Sequence, residues 1–421
     1  MSDEHDTDKH EAHDHRHAII LSGGGADGAY EIGVVKALFN GKAPWQKTPL
    51  VPDVFTGTSI GSFNATFLVS QWDDYGAGAV GNLENVWLEE ISRGGFRIRC
   101  DPLLYLDPRS YLPNPLKIGA EFVNDAFSLG WDGLRRLVNL AAGEEPFLQR
   151  FLESFNLASF VSAVPWERTI RKTIDFKKVR KSSRDLFVAA TNWELGELRL
   201  FKKHDMTDKL GPNAIRASSA VPGFYPIATV GAQSYIDGAV LMNTPLKPAV
   251  VDGGADVLHV VYLNTDVKKM PVEALQSTLD TLYRTQIIAW TESVNSDIKE
   301  ANAYNRGLEL IAQGEKGPEK LEAFLAADGA NVAKAVLALG KHMRHAQADR
   351  ETGHKKKRTL KPVTVHRYFP PDGLDGALGF LDLSQQRIAR LIDEGFEHTV
   401  SHDCEANECI LPKAHDKEIY L

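Results

Sequence analysis

The stretch HAIILSGGGADGAYEIGVVKAL, residues 17–38, runs from a short apolar segment through a glycine cluster into a helical pattern. The apolar run ending at Leu21 reads as a buried strand, and the residues after Gly28 place apolar side chains at helical spacing, with Gly41 as the stop. Residues 53–70, DVFTGTSIGSFNATFLVS, repeat the design: apolar run, tight glycine turn, apolar helix. Two strand–turn–helix units in close succession predict an α/β fold, a mainly parallel central sheet flanked by helices.

The rest of the chain is organised around that sheet. Residues 1–17 carry five histidines among acids and almost no apolar side chains, so they are expected to be a disordered tail. Residues 97–165 are interrupted by Pro102, Pro108, Pro113 and Pro115; the segment with Trp131, Leu134, Leu137 and Leu140 at near-helical spacing reads either as a lid or as a core-facing helix. DLFVAATNWELGELRLF predicts a hairpin turning at Gly196, and QSYID, DVLHVVYL and VTVHRYF predict further strands. From about residue 267 onward the pattern is mostly helical and ends in the amphipathic SQQRIARLIDEGFEHTV.

Composition narrows the function. The 421 residues have a formal net charge of −8, which argues against nucleic acid as the main partner. Three cysteines (Cys100, Cys404 and Cys409) suggest a reducing compartment without a disulfide framework. The acidic start lacks the basic and apolar regions of a signal peptide, and no apolar run approaches the roughly 20 residues that span a bilayer. The expectation is a cytoplasmic protein or one peripheral at a membrane.

Gly23, Gly25 and Gly28 satisfy G-x-G-x-x-G, which by itself suits a dinucleotide phosphate. That reading also needs an acid at a strand end about 20 residues on. Asp53, the nearest candidate, precedes its strand instead. The second turn is Gly57-Thr58-Ser59-Ile60-Gly61, a G-x-S-x-G. A serine on a sharp strand-to-helix turn presents its hydroxyl above the sheet, and the helix N-terminus favours negative charge beside it. Ser59 is therefore a candidate nucleophile, with helix capping as the plainer alternative. The amides of Gly24 and Gly25, on a neighbouring strand end, are then candidate donors to an oxyanion. His204, His259 and His366 do not fall in obvious strand-end loops, whereas Asp237 ends QSYI immediately before Gly238. It is a candidate base, or else an ordinary turn aspartate.

Together these residues resemble the patatin-like phospholipase family. The glycine loop Gly23–Gly28, the G-x-S-x-G at Ser59 and the D-G-A at Asp237, Gly238 and Ala239 match its signature blocks in order, supported by AIRASSAVPGFYPI and YIDGAVLMNTPL. The resemblance runs from about residue 18 to 266 and is looser beyond. It implies a three-layer α/β fold with a helical C-terminal extension packing on the same domain. It further implies a Ser59–Asp237 dyad without histidine, an oxyanion hole from Gly23, Gly24 and Gly25, and no cofactor or metal. The implied substrate is a fatty-acyl ester or phospholipid, met with transient contact at a membrane surface. The alternatives are an esterase with a Ser–His–Asp triad, and a non-catalytic lipid- or nucleotide-binding protein. One departure stands out: Asp27 occupies a position where the family usually carries Arg or Lys.

Two lesser features remain. His398, His402, Cys404 and Cys409 have spacings a metal can use, with His398 and His402 one helical turn apart; a frayed helix end is the simpler reading. The basic run at 354–358 suits anionic headgroups or a solvated loop.

Overall fold

The computed structural model describes residues 15–92, 164–222, 225–263, 278–315, 359–370, 382–412 and 419–420. Cys100, Trp131, Leu134, Leu137, Leu140, the basic run at 354–358 and the histidines ahead of His15 lie outside these. In chain order the elements are β1 (His17–Leu21), α1 (Gly28–Phe39), β2 (Val54–Thr58), α2 (Ile60–Tyr75), α3 (Ala79–Asn85), α4 (Val164–Thr173), α5 (Phe176–Lys181), β3 (Asp185–Asn192), β4 (Leu198–Lys202), α6 (Gly211–Ser218), β5 (Ala228–Val230), β6 (Gln233–Asp237), α7 (Leu246–Val251), β7 (Val257–Val261), α8 (Thr278–Glu315), β8 (Thr359–Leu360), β9 (Thr364–Tyr368), α9 (Gln385–Val400) and β10 (Ile419–Tyr420).

The main sheet has the order β5-β6-β3-β2-β1-β7-β9, with β4 also beside β3. Parallel pairing joins β3, β2, β1, β7 and β9, while β4 and β6 run antiparallel to β3, and β5 to β6. The outcome is a parallel sheet with an antiparallel edge. The hairpin turns where glycine was expected, Gly196 having φ 64°. β1 starts at His17, inside the stretch expected to be a tail, because Arg16 N–H donates to Asp256 Oδ1 (2.6 Å) and the Arg16 guanidinium pairs with Asp185.

Strands buried on both faces need apolar residues throughout, and β1, β2 and β7 have them. Alternation then assigns the faces. Ile19 and Leu21 join α1, α2 and α9 in one core; Ala18 and Ile20 join Leu246 and Ala249 of α7 and Tyr304 and Leu308 of α8 in the other. These are the three layers. β9 and α9 belong to these layers, the first as a strand of the sheet and the second in the first core.

One detail of register positions the site. Thr58, the last residue of β2, sits opposite Ala189 of β3, and Asp237, the last of β6, sits opposite Ala190. Ala189 and Ala190 also pair with β4, which occupies the other side of β3. β2 and β6 therefore abut end to end along one edge of β3, and the turns after Thr58 and Asp237 face each other.

Candidate active site

Ser59 bridges β2 and α2 with φ 53° and ψ −124°. It and Glu408 are the two non-glycine residues with positive φ among the described residues. Such a conformation costs on the order of 1–3 kcal/mol and persists only where its surroundings enforce it. Here Ser59 N–H donates to Ser218 Oγ (2.9 Å), whose hydroxyl donates to Ala189 O (2.6 Å), while Ser62 Oγ–H closes on Ser59 O (2.6 Å). Close approach does the rest. A Cβ on Gly57 would meet the backbone of Gly61, and one on Gly61 the backbone of Leu21. The Ser59 side chain makes no capping bond to α2. Helix capping therefore does not account for it.

Asp237 is 1% exposed. Its Oδ1 accepts Ala239 N–H (2.8 Å), while Oδ2 makes no full hydrogen bond among the described residues. Burial pushes this carboxyl up to about 7, against the Ala239 amide and the Ser59 hydroxyl, which favour the charged form. Gly238 lies so close to Ala189 O that a side chain there would collide with it. The expected pair thus faces each other across the β2–β6 junction.

The glycine loop runs beside them. A Cβ on Gly23 would lie 3.0 Å from Ser59 Cβ. The Gly23 N–H is engaged by Asn243, through Oδ1 (3.1 Å) and the backbone carbonyl (3.3 Å). The amides of Gly24 and Gly25 have no hydrogen bond to the described residues. Ser22 Oγ, bonded to Thr244 Oγ1 (2.8 Å) and Val261 O (2.7 Å), ties the loop to the segment after Asp237. Gly28 packs on Ile60. Ser218 and Asn243 carry no local signal in the sequence beyond their membership of the two stretches that resemble the family.

The departure at Asp27 resolves into a buried ion pair. Its carboxylate binds the Arg387 guanidinium of α9 at 2.6 Å, the two side chains 4% and 5% exposed. Under the loop, Glu31 accepts from Asn64 Nδ2 (2.9 Å), and Asn64 Oδ1 accepts from Trp87 Nε1 (2.9 Å). Burial raises the Glu31 pKa well above the usual carboxylate value.

No histidine is among the hydrogen-bond partners of Ser59 in the described residues. His204 is largely exposed beside Asp205. His259 and His366 face each other in register on β7 and β9, with the Trp45 ring stacked on both.

Residues 19–250, more than half of the chain, match the family model described as patatin-like phospholipase. The chain belongs to the patatin-like phospholipase family. No curated protein sequence matches it. Among solved structures it is similar to VipD from Legionella pneumophila, at 12% identity and a TM-score of 0.33, over 92% of this chain and 66% of that one. Patatin-like phospholipases act on lipids, and no helix among the described residues is long and apolar enough to cross a membrane.

The four residues whose spacing a metal can use do not all come together. His398 turns to Tyr30 Oη (3.2 Å). His366 takes its place, so that His366, His402, Cys404 and Cys409 bring their ligand atoms within 4.8 Å of one another. This cluster is remote in sequence from Ser59 and Asp237.

Proposed function

We propose that the protein is a serine lipid acyl hydrolase that cleaves fatty-acyl esters through an acyl-enzyme on Ser59, with Asp237 as its base. The observation that carries this reading is the end-to-end meeting of β2 and β6. It sets a strained serine, free of capping duty, against a buried carboxylate whose Oδ2 has no full hydrogen bond among the described residues. In the first step Ser59 Oγ attacks the acyl carbon as its proton passes to Asp237. The ester C–O bond then breaks, and the leaving alcohol takes that proton. Water attacks the acyl-enzyme, gives its proton to Asp237, and the fatty acid departs as Ser59 recovers its hydrogen.

The tetrahedral intermediates carry an oxyanion. The Gly24 and Gly25 amides are its donors, and removing one such donor typically costs about 3–4 kcal/mol of transition-state stabilisation. Gly23 acts differently from the expectation: its amide is held by Asn243, so it shapes the loop and leaves room beside Ser59. A carboxylate is a weak base toward an alcohol, so a raised pKa and fixed geometry carry much of the rate. Val240 and Leu241, 40% and 43% exposed immediately after the Asp237 turn, suit an acyl chain.

The test is hydrolysis of p-nitrophenyl esters of graded chain length and of phospholipid vesicles, with fluorophosphonate labelling. Ser59→Ala is expected to abolish turnover and labelling, and Asp237→Asn to abolish turnover. His204→Ala and His259→Ala are expected to retain it. A folded histidine variant without activity would replace the dyad by a triad. A folded wild type without turnover or labelling would leave a binding protein.

A further inference from the structure

We propose that His366, His402, Cys404 and Cys409 form a tetrahedral structural zinc site that fastens the segment after α9 to strand β9. The four side chains come from two parts of the chain, His366 from β9 and the others from the turn at 402–409. Cys404 Sγ lies 3.5 Å from His366 Nδ1 and 3.5 Å from His402 Nε2, and Cys409 Sγ lies 3.5 Å from His402 Nε2. Zinc bonds of about 2.3 Å to sulfur and about 2.0–2.1 Å to nitrogen make the S···N edge of a tetrahedron about 3.5 Å. Three of its edges are already in place.

The donor set matches the ion. Two thiolates and two neutral imidazoles select a borderline-soft cation and cancel the charge of Zn²⁺, which suits histidines that are buried. Binding forms two Zn–S and two Zn–N bonds and releases two thiol protons. At His402 the metal takes Nε2, so the neutral ring carries its proton on Nδ1, 2.7 Å from the Asn407 side-chain amide. Four protein ligands leave no open position, so the site is structural.

The surroundings are built to hold these ligands. Arg367 N–H donates to Cys409 Sγ (3.3 Å), and Cys409 N–H to Cys404 O (2.9 Å). Trp45 stacks on His366 with centroids 4.2 Å apart, and Tyr368 lies against His402 at 4.6 Å. Glu408, the second non-glycine residue with positive φ (51°), immediately precedes Cys409 and reverses the chain toward the cluster. Local strain of this kind collects at functional positions.

Cobalt titration of the reduced full-length protein is the decisive experiment. Cobalt held by the N-terminal histidines would have no sulfur ligand and so would give no thiolate charge transfer. One equivalent of Co²⁺ in the proposed site is expected to give thiolate-to-cobalt charge transfer and intense tetrahedral d–d absorption, both bleached by one equivalent of Zn²⁺. His366→Ala and Cys404→Ser should lose the charge-transfer band or its full intensity, and His398→Ala should keep it. Zinc should also shield Cys404 and Cys409 from alkylation, and chelation should lower Tm. Cobalt binding without charge transfer, or unchanged alkylation with saturating zinc, would overturn the proposal. So would a Cys404–Cys409 disulfide whose reduction yields no metal binding. The wild-type spectrum decides even if a variant fails to fold. Ester hydrolysis is measured separately, and neither result depends on the other.

Discussion

At the scale of single residues, the consequence of burying Asp237 is a link between activity and stability. Its carboxyl is pushed up to about 7 by burial, so as the proposed base it is about half ionised at neutrality and less so below. Activity should fall about tenfold per pH unit below that point and level off above it. The same shift acts on folding. Between the unfolded carboxyl pKa, near 3.9, and about 7, the folded protein holds a proton that the unfolded chain has lost, so this group's contribution to stability declines as pH rises through that window. Asp237→Asn keeps an amide oxygen for Ala239 N–H and removes the ionisation. It should cut kcat by roughly 10³-fold or more and raise stability at pH 8 by roughly 2–4 kcal/mol, with no gain near pH 4. Thermal melts of both proteins from pH 4 to 8 measure this. Equal Tm differences across the range would mean that Asp237 is not held at high pKa.

α1 and α9 meet through small residues and a buried ion pair, and both can be broken selectively. α1 and α9 cross so closely that a Cβ on Gly33 would strike Ile392 O, and one on Gly395 would strike Tyr30 O. Gly33→Ala and Gly395→Ala should each destabilise by about 1–3 kcal/mol or more. Gly81→Ala, with nothing near its Cβ in α3, should stabilise by about 0.5–1 kcal/mol. Denaturant melts of the three variants separate a helix contact from helix propensity. The Asp27–Arg387 pair joins the same two helices at the mouth of the glycine loop. Truncating Arg387 takes its guanidinium away from a buried carboxylate, so Arg387→Ala should destabilise by about 3 kcal/mol. Adding Asp27→Ala should recover part of that loss. Much of each element is legible in sequence, because strand and helix periods, Gly41, Gly196 and the turn residues around Ser59 and Asp237 are local signals. What joins the elements is not. Arg387 lies 360 residues from Asp27, and the approach of Asp237 to Ser59 depends on two strands abutting along a third. His398 and His402 share a helical face only if the helix continues; α9 stops at Val400, so His402 turns toward β9 and His398 toward Tyr30.

For the whole molecule, the family match ends at residue 250, yet the layers do not close there. Ile388, Leu391 and Ile392 of α9 are at most 2% exposed within the core that also contains α1, α2 and Ile19, Leu21 and Phe55 of the sheet. Each buried aliphatic side chain of this size contributes about 1.5–3 kcal/mol, so the three together supply roughly 5–9 kcal/mol against a usual total of about 5–15 kcal/mol. Deleting α9 also uncovers α1 and removes Arg387 from beside Asp27 at the glycine loop. A chain ending at Asp382 is therefore expected to lose cooperative unfolding, to bind a hydrophobic dye and to hydrolyse no ester, although Ser59, Asp237 and the glycines are all present. Calorimetry and fluorophosphonate labelling of the shortened chain test this together. A sharp melt with normal labelling would show that α9 is an appendage; a broad or absent melt with lost labelling would mean that the C-terminal helix completes the hydrolase.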